Sequence, residues 1–187
     1  MRTHVALLRG INVGGRNKLA MSDLREIATS MGLADVATYV SSGNLVFRSS
    51  ETDPEILATA LEQRIAEHSN VRPGVVVLRR DELAQVVADN PYPDETDPKC
   101  LHVVFHRRDN EADAAFLAAA EQRAKAKGSR DEGTVVGRHL YLHTPDGLGR
   151  SELAAQLSRP QGARAGTAVT TTRNWTTVTK LVALLSG

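Results

Sequence analysis

Val36-Ala37-Thr38-Tyr39-Val40-Ser41-Ser42-Gly43-Asn44-Leu45-Val46-Phe47 decides how this chain folds. Val36 to Val40 and Leu45 to Phe47 are β-rich runs, and the Ser, Gly and Asn residues between them are those a hairpin turn uses. Upstream lies a helical pattern, with Leu24, Ile27, Ala28 and Met31 at i, i+3, i+4 and i+7, Ser22 as the expected N-cap and Gly32 just past its end. Downstream, Asp53-Pro54 reads as a cap followed by proline at the first helical position, and Leu57, Leu61 and Ile65 mark a buried stripe. Outside these lie two strand-like runs, His4 to Ile11 and Val75 to Leu78. The order β-α-β-β-α-β specifies an α+β, ferredoxin-like half in which two helices cover one face of a four-stranded antiparallel sheet. A short helix over Asp81 to Ala88 closes it.

The pattern then repeats. Asn90 to Pro98 carries three prolines and three acids and reads as a linker. Beyond it come a strand over Leu101 to His106, a helix over Glu111 to Lys127 stopped by Gly128, and a hairpin joined at Gly137-Arg138. A short helix over Ser151 to Leu157, a strand drawn from Thr167 to Thr171 and a last helix over Arg173 to Leu185 complete the second half. The expectation is a tandem pair of ferredoxin-like halves with mainly antiparallel sheets and extra helices: residues 1–90, a Pro/acidic linker at 91–99, and 100–187.

Composition narrows the function classes. The 187 residues suffice for a buried core, and no apolar run approaches the roughly 20 residues of a membrane-spanning helix. No export signal is visible, so a cytoplasmic location and no membrane are expected. Cys100 is the single cysteine and sits in an apolar run, so it is expected to be an inert core thiol. With 23 basic and 22 acidic side chains the net charge is +1, too little for a strong field that recruits polyanions, so nucleic acid is the less favoured partner.

Three segments stand out: Leu8-Arg9-Gly10-Ile11-Asn12-Val13-Gly14-Gly15 with Asn17-Lys18, then Tyr39 to Phe47, and Thr172-Arg173-Asn174-Trp175-Thr176-Thr177-Val178. In this order and spacing they resemble the bacterial family known as domain of unknown function 1697. The resemblance runs over nearly the whole chain and implies an α+β fold and small, cytoplasmic, stand-alone proteins, with no established activity. The turn motif of that family often has Gln where Ser41 stands, which argues against an essential chemical role for Ser41.

Gly10 and Gly15 have the spacing of a phosphate-binding loop, but Arg16-Asn17 replace the Lys and Ser/Thr that would reach phosphate and magnesium, and the parallel βαβ context is missing. A looser anion cradle remains: the amides of Gly14 and Gly15 near a helix start, flanked by Arg9, Arg16 and Lys18. The same glycines also suit a tight connection requiring positive φ. Arg173-Asn174 is expected to open a helix whose amides and dipole favour an anion, with Arg173 alternatively paired to an acid such as Asp35. Trp175 falls on the apolar stripe of that helix.

The expected ligand-binding set is therefore Arg9, Asn12, Gly14, Gly15, Arg16, Lys18, Ser42, Asn44, Arg173 and Asn174, for a small anionic or phosphorylated molecule. Binding protein and enzyme both remain open. The rival classes are nucleic-acid binding, for which Tyr39, Phe47 and Phe105 are the strand aromatics to test, and a partner-interaction module. His102/His106 and His139/His143 have H-x-x-x-H spacing, but i, i+4 residues on a strand lie about 13 Å apart and cannot share one ion. No metal and no cofactor are expected.

Overall fold

A computed structural model describes residues 1–108, 113–158 and 169–187. The first half runs β1 (His4–Leu8), α1 (Met21–Ser30), β2 (Ala34–Tyr39), β3 (Asn44–Arg48), α2 (Pro54–His68), β4 (Val75–Arg79) and α3 (Arg80–Ala88). Its sheet has the order β2-β3-β1-β4 with each neighbouring pair antiparallel. The second half runs β5 (Leu101–His106), α4 (Ala114–Lys125), β6 (Glu132–Val136), β7 (His139–His143), α5 (Glu152–Leu157), β8 (Thr170–Asn174) and α6 (Trp175–Ser186), with the sheet order β6-β7-β5-β8. Element for element the second order repeats the first, so the chain is a tandem pair of ferredoxin-like folds.

Two compact units result. The first holds Met1–Gln85, Val169–Thr171 and Thr179–Gly187; the described residues of the second are 86–108, 113–158 and 172–178. In the first, α1 buries Leu24, Ile27 and Ala28, and α2 buries Leu57, Ala58, Leu61 and Ile65, against Ala6, Leu8, Leu45, Phe47 and Val77 of the sheet. In the second, Leu117, Ala120 and Ala124 of α4 and Leu153 of α5 join Leu140 and Leu142.

Local chemistry sets the element ends. Asp53 accepts a hydrogen bond from the Glu55 amide at 2.8 Å, with Pro54 beside it, as expected. Ser22, by contrast, lies inside α1: the N-cap position falls to Ala20, without a side-chain hydrogen bond, and the Ser22 hydroxyl donates to Asp23. The last strand runs to Asn174, so Arg173 stands on β8 rather than at a helix start. Of the strand expected over Thr167 to Thr171, residues 167 and 168 lie outside the described residues, as do residues 111 and 112 of the expected fourth helix.

Residues 91–99 are tied to the second unit by side chains. The Tyr92 hydroxyl is 2.9 Å from the Thr134 hydroxyl, the Tyr92 ring stacks on His143, and His143 Nε2 is 2.6 Å from a Glu95 carboxylate oxygen.

Candidate functional site

The strand order carries three connections of the first unit to one end of its sheet. Residues 9–20 leave β1 there, 40–43 join β2 to β3 there, and 69–74 enter β4 there. The backbone binds them together: the Leu8 amide donates to Gly43 O at 2.8 Å and the Arg9 amide to Gly74 O at 2.8 Å.

The glycine-rich segment is a miniature hairpin. Asn12 N donates to Asn17 O and Arg16 N to Val13 O, both at 3.0 Å, and Gly14 and Gly15 between them have φ of +57° and +76°. Positive φ at both central residues is the mark of a type I′ turn, which glycine enters at no steric cost. Asn12 fastens its base. The Asn12 amide nitrogen donates to Leu19 O at 2.9 Å and Ser41 O at 2.8 Å, while its side-chain oxygen accepts from the Leu19 amide at 3.0 Å. Because α1 begins only at Met21, the Gly14 and Gly15 amides are not at a helix start.

Eight of the expected residues therefore gather at this end, in two different roles. Arg9, Gly14, Gly15, Arg16, Lys18 and Ser42 are exposed. Among the described residues, the side chains of Arg9, Arg16 and Lys18 have no hydrogen-bond or ion-pair partner. Asn12 is consumed in holding the loop, and Asn44 is fully buried, donating to Tyr39 O at 2.9 Å and to the Ser42 hydroxyl at 3.1 Å. Gly43 is enclosed as well: a Cβ there would lie 2.7 Å from Ile11 Cδ1 and 2.8 Å from Leu8 Cβ.

Arg173 and Asn174 belong to the second unit and are engaged internally. Arg173 is buried, its guanidinium donates to Thr172 O at 2.8 Å, and desolvation pulls its pKa down to about 10. The Asn174 side chain accepts from the Thr177 amide at 2.9 Å, so the first turn of α6 is capped from within the chain. Asp35, considered as an acid for Arg173, instead accepts from Arg48 at 2.8 Å.

Three residues that sequence reading passed over lie at the same end. Arg72 is exposed and has no side-chain partner among the described residues. Val13 and Val40 are large apolar side chains left 66% and 49% exposed. Val40 also sits at φ +49°, a conformation costly for a β-branched residue. The turn residues in Val71-Arg72-Pro73-Gly74 mark a loop just before a strand, which with the strand order places Arg72 here. Nothing in residue type alone marks Val40.

His102, His106 and His139 are buried, and desolvation, reinforced by Arg138 and His106, pulls His139 down to about 3. No group of three or more side chains among the described residues is arranged to hold a metal. Cys100 is partly exposed rather than deep in a core; its thiol donates to Pro145 O at 3.7 Å, and desolvation, then Asp97, Glu95 and Asp146, push its pKa up, away from a reactive thiolate. Phe47 and Phe105 are fully buried, which removes two of the three strand aromatics on which a base could stack. A shallow groove runs along α1, lined by Ser22, Arg25, Glu26, Thr29 and Ser30, a single helix face distinct from the loop cluster. No helix among the described residues is long and apolar enough to cross a membrane.

Comparison with known proteins agrees with this architecture. A conserved bacterial protein, SP0830 from Streptococcus pneumoniae, superposes with a TM-score of 0.71 at 22% sequence identity, covering 98% of each chain. No curated protein matches. The family model described as a protein of unknown function, domain of unknown function 1697, matches residues 1–141, three quarters of the chain, and the protein belongs to that family.

Proposed function

We infer that the protein binds an anionic, phosphate-bearing ligand at the loop end of its first unit, in the cytoplasm. One observation carries this reading. The loops at 9–19, 40–44 and 69–74 contain Arg9, Arg16, Lys18 and Arg72 and no carboxylate, whereas over the whole chain acids nearly balance bases. These loops thus carry four solvated cations and no acid of their own, a local positive charge that the net charge conceals; the Glu62 carboxylate, from α2, accepts from the Val75 amide at 2.7 Å beside the last of them. The exposed Gly14 and Gly15 backbone and the Ser41 and Ser42 hydroxyls add donors beside them. The lone cysteine, which can form no internal disulfide, suits a reducing compartment.

The contribution expected of Arg173 and Asn174 is the weaker part of the reading, because both are engaged within the second unit. A thermal-shift screen against nucleotides and sugar phosphates tests the whole. A ligand at about 100 times its Kd adds about 2.7 kcal/mol, or roughly 5 to 10 °C for a chain of this size. The shift should vanish in Arg9→Ala and Arg16→Ala, and no shift from any phosphorylated compound, together with no binding to phosphate-bearing vesicles, would sink the idea. A nucleic-acid reading based on the strand aromatics retains only Tyr39, which is partly exposed.

A further inference from the structure

We propose that the anion this site recognises is the headgroup layer of an anionic lipid surface, on which the loop end of the first unit docks. This inference rests on the anion-binding reading above and adds its source.

Shape comes first. Small phosphorylated molecules gain affinity in clefts that cover most of their surface, but here the residues from Val13 to Lys18 are all exposed. Breadth is the second point. Three of the cations lie on the loop that leaves β1 and the fourth on the loop that enters the neighbouring strand β4, so the charge is spread over two loops rather than gathered round one phosphate group.

The third point separates a lipid layer from other polyanions. Val13 and Val40 stand exposed among the cations on two segments that the Asn12 to Ser41 hydrogen bond ties together. Tyr39, partly exposed beside Val40, has an amphipathic ring of the kind that settles at a membrane–water boundary. A phosphodiester backbone offers aliphatic side chains nothing, whereas a lipid interface offers them an apolar medium and pairs the neighbouring bases with headgroups. Val40 is also held at φ +49°, where Gly or Asn would sit without cost, so the fold maintains an aliphatic side chain here against its backbone preference. Such docking needs no membrane-spanning helix.

Sedimentation of the full-length protein with vesicles tests this, using phosphatidylcholine alone and phosphatidylcholine mixed with phosphatidylglycerol. The protein should pellet with the anionic vesicles only, and each of Arg16→Ala and Lys18→Ala should lower partitioning roughly fivefold. Val13→Ser with Val40→Asn leaves the charge unchanged and relieves backbone strain; it should still fold, by its melting curve, and should lose most of the vesicle binding. Absence of pelleting with anionic vesicles overturns the proposal. So does undiminished binding by the Val13→Ser/Val40→Asn variant, or displacement from vesicles by a single-stranded oligonucleotide at equal phosphate concentration. A thermal shift with a soluble phosphorylated compound, lost in Arg9→Ala but accompanied by no vesicle binding, would leave the anion site standing and refute its lipid identity.

Discussion

Replacing Gly43 by alanine should be among the most damaging single-methyl changes in the first unit. The added Cβ would meet Ile11 Cδ1 at 2.7 Å and Leu8 Cβ at 2.8 Å, and those side chains are 1% and 0% exposed, with little room to retreat. The backbone cannot step aside either, since Gly43 O accepts the Leu8 amide at 2.8 Å. Alanine at φ +79° costs about 1 to 2 kcal/mol, and overpacking a filled site adds roughly 1 to 3 kcal/mol. The sum, about 2 to 5 kcal/mol, corresponds to a melting temperature lowered by roughly 5 to 15 °C at this chain length. Gly14→Ala and Gly15→Ala are the controls. Their φ values are also positive, but nothing lies within 4 Å of the added atom, so only the backbone cost of about 1 to 2 kcal/mol applies. Differential scanning calorimetry of the three variants decides the matter. Equal destabilisation at all three positions would show that the packing of turn 40–43 onto Leu8 and Ile11 is not the constraint described above.

Asn12→Ala removes three side-chain hydrogen bonds at about 1 kcal/mol each, so it should destabilise by about 2 to 4 kcal/mol and accelerate hydrogen exchange at the Leu19 amide. Asn12→Gly restores tolerance of positive φ but not the bonds, and the exchange should stay fast. His139 should make the protein sensitive to acid. Its folded pKa, about 3, lies below the ordinary 6.5, so as pH falls the unfolded chain takes up the proton first. Stability is then lost from about pH 6.5 down to about pH 3, at no more than about 1.4 kcal/mol per pH unit from this group, and urea melts of His139→Leu should show a shallower pH slope than wild type. Asp131→Ala removes the buried carboxylate that accepts from the Ser129 and Ser151 hydroxyls and the Leu153 amide, at 2.6, 2.9 and 3.2 Å, and should cost about 3 kcal/mol in chemical denaturation. Arg130→Ala, which breaks an exposed pair with Asp146, should cost under about 1 kcal/mol.

The architecture was legible because local signals agreed with one another. The β-rich runs, the helical periodicities, the Asp53-Pro54 cap and the Ser/Gly/Asn turn residues all pointed to the same element order, and the second half repeated it. What sequence could not convey was direction. Asn12 and Asn44 are polar residues in loop-like segments, yet both turn inward to satisfy backbone groups; their type is the same whether they face a ligand or a carbonyl. Arg173 misled for a related reason: a basic residue beside Asn-Trp suggests an exposed helix start, but the strand runs three residues past Thr171, to Asn174, and carries Arg173 into burial. Ser22 is a good capping residue at the wrong register: α1 begins one residue before it, at Met21. Arg72 joins Arg9 only through strand order, since more than sixty residues separate them in sequence.

The double anchorage of Asn12 has a consequence for how this protein can diverge. Val13, Gly14, Gly15 and Arg16 lie beyond the point where the chain is clamped to Leu19 and Ser41, so their side chains contribute almost nothing to the core. The side chains at Val13 and Arg16 can drift between relatives at little cost to the fold, and a peptide grafted between Asn12 and Asn17 would be displayed on a base held by the Asn12 bonds to Leu19 and Ser41.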